Sequence, residues 1–184
     1  MKTDSRVDKP SQGLDCWGIF NYHFFMLKAV FPGSFDPPTL GHINIIERAS
    51  SIFDELMVVV AENSQKKHLF SLEERVSMMQ ELVEPRKNVS VFVCDTLIAE
   101  FMKKHNMKLL VRGVRGVDDF SYEFDLSMIN KTLAPNIETI FMTTDPEYFV
   151  LRSSVIKELA SFHGDVSGMV SPIVAQALKL KYHY

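Results

Sequence analysis

Cysteine is scarce in this chain: Cys16 and Cys94 are the only two among 184 residues. Two thiols so far apart make neither a disulfide framework nor a metal cluster of the usual spacing, and they fit a reducing cytoplasm. Long apolar runs are missing as well, since no stretch approaches the ~20 residues that span a bilayer. Positive charge is not in excess. The 20 Lys and Arg stand against 23 Asp and Glu, leaving a net charge of −3, which argues against a general nucleic-acid binder with its basic footprint. No internal repeat, low-complexity tract or linker interrupts residues 27–184. What is left is ordinary for a globular domain, with 46% hydrophobic and 23% charged residues. At this length one domain buries roughly 70% of its unfolded surface.

The first 26 residues stand apart. Met1 to Leu14 is polar and carries Pro10 and Gly13, as a flexible leader does. Cys16 to Leu27 is apolar and aromatic but short; Asn21 and His23 interrupt it, and no small-residue cleavage site follows, which argues against a secretory signal. We expect residues 1–26 to be a dispensable extension, with Met26 as the functional beginning. The other reading is an aromatic segment that packs on this protein or on a partner.

From Lys28 onward, strand-like and helix-like segments alternate. Lys28 to Phe31 reads as a first strand and Ile43 to Ala49 as an amphipathic helix. Glu55 to Ala61 is a near-continuous apolar run, the pattern of a strand buried on both faces. Ser71 and Glu74 form a capping box opening a helix that Pro85 stops after Glu84. Val89 to Val93 predicts a third strand, Leu97 to His105 a helix, and Leu109 to Val111 a fourth strand. Asp119 to Leu133 reads as a helix ended by Pro135, and Ile137 to Thr143 as a fifth strand. Ser153 and Ser154 cap a helix reaching about Phe162, and Ser171-Pro172 opens the last. Five strands separated by helices imply a Rossmann-like, doubly wound α/β fold with a parallel sheet, in a single domain. Ligands of such sheets bind beyond the carboxyl ends of the strands.

The most informative stretch is Gly33 to His42, GSFDPPTLGH, between the first strand and the first helix. A strand, a glycine-containing turn and a helix N-terminus make an anion pocket. Gly41 lets the backbone approach a phosphate, and His42 adds an imidazole beside Thr39 in a tight Thr-Leu-Gly-His turn. Asp36 is expected to bond turn amides while Pro37 and Pro38 fix the loop. Two further cationic features follow strand ends. Lys66 lies in a polar loop after the second strand, with Lys67 as its bland neighbour. Arg112-Gly113-Val114-Arg115-Gly116 offers two guanidinium groups suited to phosphate oxygens. Ser153 and Ser154 bring hydroxyls and amides to a helix start.

The Thr39-Leu40-Gly41-His42 turn resembles the T/H-x-G-H signature of nucleotidyltransferases related to class I aminoacyl-tRNA synthetases. From about Lys28 to Lys181 the chain resembles the bacterial phosphopantetheine adenylyltransferase family. That resemblance implies transfer of the adenylyl group of ATP to 4′-phosphopantetheine, giving dephospho-coenzyme A and pyrophosphate. It implies His42 as transition-state stabiliser, with Lys66 and Arg112 holding the acceptor phosphate that Ser34 helps orient. Leu97, Ile98 and Asn130 would line the pantetheine arm, although Leu97 and Ile98 could equally be core and Asn130 merely solvated. ATP would touch Ser34, Phe35, Gly113, Val114, Arg115 and Glu123, and the segment Tyr148, Phe149, Val150, Leu151, Arg152, Ser153 and Ser154. Arg152 departs from the family, which has a small hydroxylated residue there, and either helps hold polyphosphate or points to solvent.

No covalent nucleophile is needed, because a phosphate dianion already attacks phosphorus. Mg2+ is expected to enter with ATP, as the chain shows no carboxylate cage of its own. The resemblance further implies a cytoplasmic homohexamer. Two rivals remain open: a different acceptor, such as nicotinate mononucleotide or a glycerol or sugar phosphate, and a nucleotide sensor without catalysis. A tRNA synthetase is excluded by length.

Overall fold

A computed structural model describes residues 26–63 and 65–184; all that was expected of residues 1–25 lies outside it. Five parallel strands form one sheet: β1 (Lys28–Gly33), β2 (Glu55–Ala61), β3 (Val89–Cys94), β4 (Leu109–Val114) and β5 (Glu138–Thr143), in the order β3-β2-β1-β4-β5. Six α-helices accompany them: α1 (Leu40–Ile52), α2 (Leu72–Val83), α3 (Ile98–Lys104), α4 (Val117–Leu133), α5 (Ser153–Ser161) and α6 (Pro172–Tyr182). The doubly wound parallel sheet expected from the sequence is present.

Alternation along the strands sends side chains to two cores. On β1, Ala29 and Phe31 join a core with Ile45, Ile46 and Ala49 of α1 and Met79 of α2. Val30 between them joins the opposite core, with Ala99, Phe101 and Met102 of α3. The apolar run of β2 serves both, as a two-sided strand must: Val58 and Val60 face one, Met57 and Val59 the other. A third cluster packs α5 against α6 and Phe70.

The topology reverses at β1, which pairs with β2 along its whole length but with β4 only at Ala29↔Leu109 and Val30↔Leu110. Beyond that point the two strands separate, and Pro32 contributes no N–H to hold them. The crevice of a doubly wound sheet opens here.

Three boundaries differ from the sequence expectation in ways that matter. β4 continues to Val114, so Arg112 and Gly113 stand within the strand rather than after it. Helix α1 starts at Leu40, which puts Gly41 and His42 inside its first turn. Helix α5 begins at Ser153 itself; its N-cap is Arg152, and no side-chain capping bond is made.

Candidate active site

The carboxyl ends of the strands enclose a cleft of about 430 Å³. Its wall includes Ser34, His42, Lys66, Ile98, Arg112, Gly113, Arg115, Glu123 and Leu151 from the expected set. Residues more than a hundred positions apart therefore share one cavity.

The β1–α1 loop is the most tightly built part. Phe35 adopts φ 47° and turns its ring beneath the strand end. A Cβ on Gly33 would lie 2.8 Å from that ring, so only glycine fits. The Phe35 ring is thus core, and it meets the His42 ring edge-on at 5.2 Å. Gly41 is under no such constraint: an added Cβ would meet Thr39 Oγ1 at 3.5 Å and Tyr148 at 3.6 Å, ordinary contacts.

Thr39 and His42 form a capping box in which histidine takes the place usually held by Glu. The Thr39 amide donates to His42 Nδ1 at 3.0 Å, and Thr39 Oγ1 accepts from the His42 amide at 3.3 Å. Burial, with the Arg115 guanidinium nearby, pushes the His42 pKa down to about 4. The ring is therefore neutral near pH 7. Because Nδ1 accepts the Thr39 amide, the single ring hydrogen sits on Nε2.

Asp36 does not cap its own turn. Its carboxylate accepts from the Phe70 amide at 2.9 Å, the Leu69 amide at 3.1 Å and Lys157 Nζ at 2.6 Å. Burial raises its pKa, but these donors outweigh it, and the carboxyl lies below its ordinary range. Asp36 thus ties three segments together: the His42 loop, the segment after Lys66, and α5. Ser153 Oγ adds a second tie to the loop by donating to the Pro37 carbonyl at 2.9 Å.

Arg75 escaped sequence reading altogether. It looks like one more charge on α2, yet it is fully buried. It donates to the Ser34 carbonyl at 2.9 Å, the Ala61 carbonyl at 3.1 Å and the Glu62 carboxylate. It thereby fixes the ends of β1 and β2 relative to each other. His68, Asn63, Thr96 and Tyr122 also reach the cleft without being anticipated. Only the position of their segments just past strand ends could have hinted at them.

The two arginines are present but not free. Arg112 donates from Nε and Nη2 to both oxygens of Glu123, each at 2.5 Å, and from Nη1 to the Pro32 carbonyl at 3.2 Å. Arg115 donates to Asp119 at 2.8 Å and to the Leu151 carbonyl at 2.9 Å. Both carboxylates come from α4, four residues apart on one face.

Other expected residues stand off the wall. Val114 is core, and Leu97, the N-cap of α3, projects its side chain into solvent while Ile98 lines the cleft. Asn130, Tyr148, Phe149, Val150, Arg152, Ser153 and Ser154 are not part of the cleft wall. Phe149, Val150, Arg152 and Ser154 are exposed. No group of three or more His, Cys, Asp or Glu poised to hold a metal occurs among the described residues.

A neutral N–H donor, an ammonium and two guanidinium groups around one crevice suit chemistry at phosphorus. Comparison with known proteins agrees. Residues 30–159 match the cytidylyltransferase-like family. The chain is 48% identical over 157 residues to a phosphopantetheine adenylyltransferase of Dictyoglomus thermophilum, covering 85% of this chain and 96% of that one. It is 45% identical to the protein of that name from Caldanaerobacter subterraneus, over 85% of this chain and 98% of the relative. The fold also matches a putative nicotinate-nucleotide adenylyltransferase from Vibrio parahaemolyticus, with TM-score 0.61 and 16% identity over 85% of this chain and 96% of the other. Within the cytidylyltransferase-like class, the chain belongs to the phosphopantetheine adenylyltransferase family.

Proposed function

We propose that this protein transfers the adenylyl group of ATP to 4′-phosphopantetheine, giving dephospho-coenzyme A and pyrophosphate. The observation that carries this reading is the His42 ring, held neutral with its hydrogen on Nε2, in one cleft with Lys66 and Arg112.

The acceptor phosphate, mostly a dianion near pH 7, attacks the α-phosphorus in line with the departing pyrophosphate. Lys66 and Arg112 hold that phosphate, and the Ser34 loop orients it. Negative charge gathers on the α-phosphate oxygens, where His42 Nε2–H donates. A preorganised donor of this kind contributes about 10² to 10³ in rate. Asp36 and Arg75 keep the loops in register, so positioning rather than covalent chemistry supplies the remainder. By family resemblance, the leaving pyrophosphate goes to the amides of Ser153 and Ser154, which open α5 outside the cleft wall.

Magnesium enters as the ATP complex, with phosphate oxygens as its main ligands, and supplies charge neutralisation. The reaction belongs in the cytoplasm, where ATP is plentiful. The protein acts as a homo-oligomer, six copies by family resemblance. Exposed apolar side chains along α4, including Phe120, Phe124 and Ile129, support self-association, and light scattering after gel filtration measures it.

Incubation with ATP, magnesium and a panel of phosphorylated acceptors tests the reading. Pyrophosphate release with 4′-phosphopantetheine is expected. Release only with nicotinate mononucleotide or another acceptor would overturn it.

A further inference from the structure

The cleft already contains an anion at the position where a phosphate is wanted. Glu123 takes Arg112 through both Nε and Nη2, the bidentate geometry that an incoming phosphate would use. The Pro32 carbonyl occupies one hydrogen of Nη1. Of five guanidinium hydrogens, two remain, one on Nη1 and one on Nη2. A phosphate bound there alone would lie close to the Glu123 charge. Arg112 and Glu123 are both mostly buried, at 23% and 14% side-chain exposure, so water screens this repulsion poorly.

We infer that Glu123 is an internal competitor for the acceptor phosphate at Arg112, and that ATP relieves the competition. This rests on the proposed function and on the family resemblance, which gives Glu123 to the nucleotide. A carboxylate accepts readily from the hydroxyl or amino hydrogens that a nucleoside offers. When Glu123 turns to the nucleotide, Arg112 loses its bidentate partner and takes the phosphate instead. The two substrates then tighten one another, each by the same factor, because coupling between binding sites is reciprocal. Without nucleotide the guanidinium stays neutralised, and stray phosphates are held weakly.

Calorimetry on the full chain tests this, with 4′-phosphopantetheine, α,β-methylene ATP and inorganic phosphate as probes. In the wild type, the ATP analogue should tighten 4′-phosphopantetheine by about 5- to 50-fold. Glu123→Gln removes the competing charge. Without nucleotide it should bind both inorganic phosphate and 4′-phosphopantetheine about fivefold tighter or more, and the analogue should then add almost nothing. Glu123→Asp, which keeps the charge but shortens the reach, should fall between. Equal or weaker phosphate binding by Glu123→Gln would overturn the inference, as would wild-type coupling persisting in that variant. Inorganic phosphate separates this from the functional reading: if 4′-phosphopantetheine fails to bind while Glu123→Gln still tightens inorganic phosphate, the acceptor is wrong and the competition stands.

Discussion

The two sides of the cleft are built on opposite principles. On the β1–α1 side, partners within the protein lock the turn and leave His42 Nε2 to face the cleft. Thr39 and His42 satisfy each other, Asp36 collects amides and an ammonium, and Phe35 locks beneath Gly33. On the β4–α4 side, the arginines are paired with carboxylates of α4, a helix in which only Ser127 is buried, and we propose that ligands exchange with those carboxylates. A donor that meets charge only in the transition state gains from rigidity, because no reorganisation is needed at the moment of reaction. Groups that bind and release substrates gain from exchangeable partners.

Removing the rigid donor should have the largest effect. His42→Ala is expected to lower turnover by about 10² to 10³ while ATP affinity stays within about tenfold; steady-state kinetics beside calorimetry separates the two. Turnover that survives would take the imidazole out of the mechanism and erase the contrast.

Proton linkage comes next. The His42 ring, at 6.5 in an unfolded chain, is held at about 4 in the fold. Between those values the unfolded chain binds more protons, so stability is complete above pH 6.5 and is lost as pH falls toward 4. The loss attributable to His42 is on the order of 3 kcal/mol. Urea titrations across this range should show it, and His42→Gln should flatten that part of the curve. An NMR titration placing the ring near 6.5 would refute the neutral, locked donor.

On the exchangeable side, Lys66→Ala should weaken 4′-phosphopantetheine by about 10- to 100-fold, the worth of one charge-assisted bond, and leave ATP much less affected. Equal losses for both substrates would remove its acceptor role. The smallest effects return to the rigid turn. Thr39→Ala should cost about 1 kcal/mol of stability through the lost cap. Turnover should drop only modestly, because the backbone amide at residue 39 still fixes the tautomer. Gly41→Ala has room for its methyl group, so its melting temperature should hold while ATP binding weakens. If both fell together, the glycine would serve packing rather than phosphate approach.

Much of the scaffold was legible because it rests on local physics. The apolar run of β2, the Ser71–Glu74 capping box and the proline opening α6 each depend on neighbours a few positions away. The strand, turn and helix around Gly33 to His42 were equally plain. Arg75 was not, since its three acceptors lie 13 to 41 positions away and a buried arginine looks like a surface one in sequence. The partners of Asp36 were misjudged for the same reason: its amides come from residues 33 and 34 positions on, not from its own turn.

The chain order alone determined the alternating elements, the anion-binding turn and the set of cations available to it, since periodicity, caps and turn residues act over a few positions. Only the assembled fold decided which ring nitrogen carries the hydrogen and which carboxylate holds each guanidinium. Those outcomes depend on burial and on distances of about 3 Å between groups far apart along the chain, and electrostatics at that range is set by position in space.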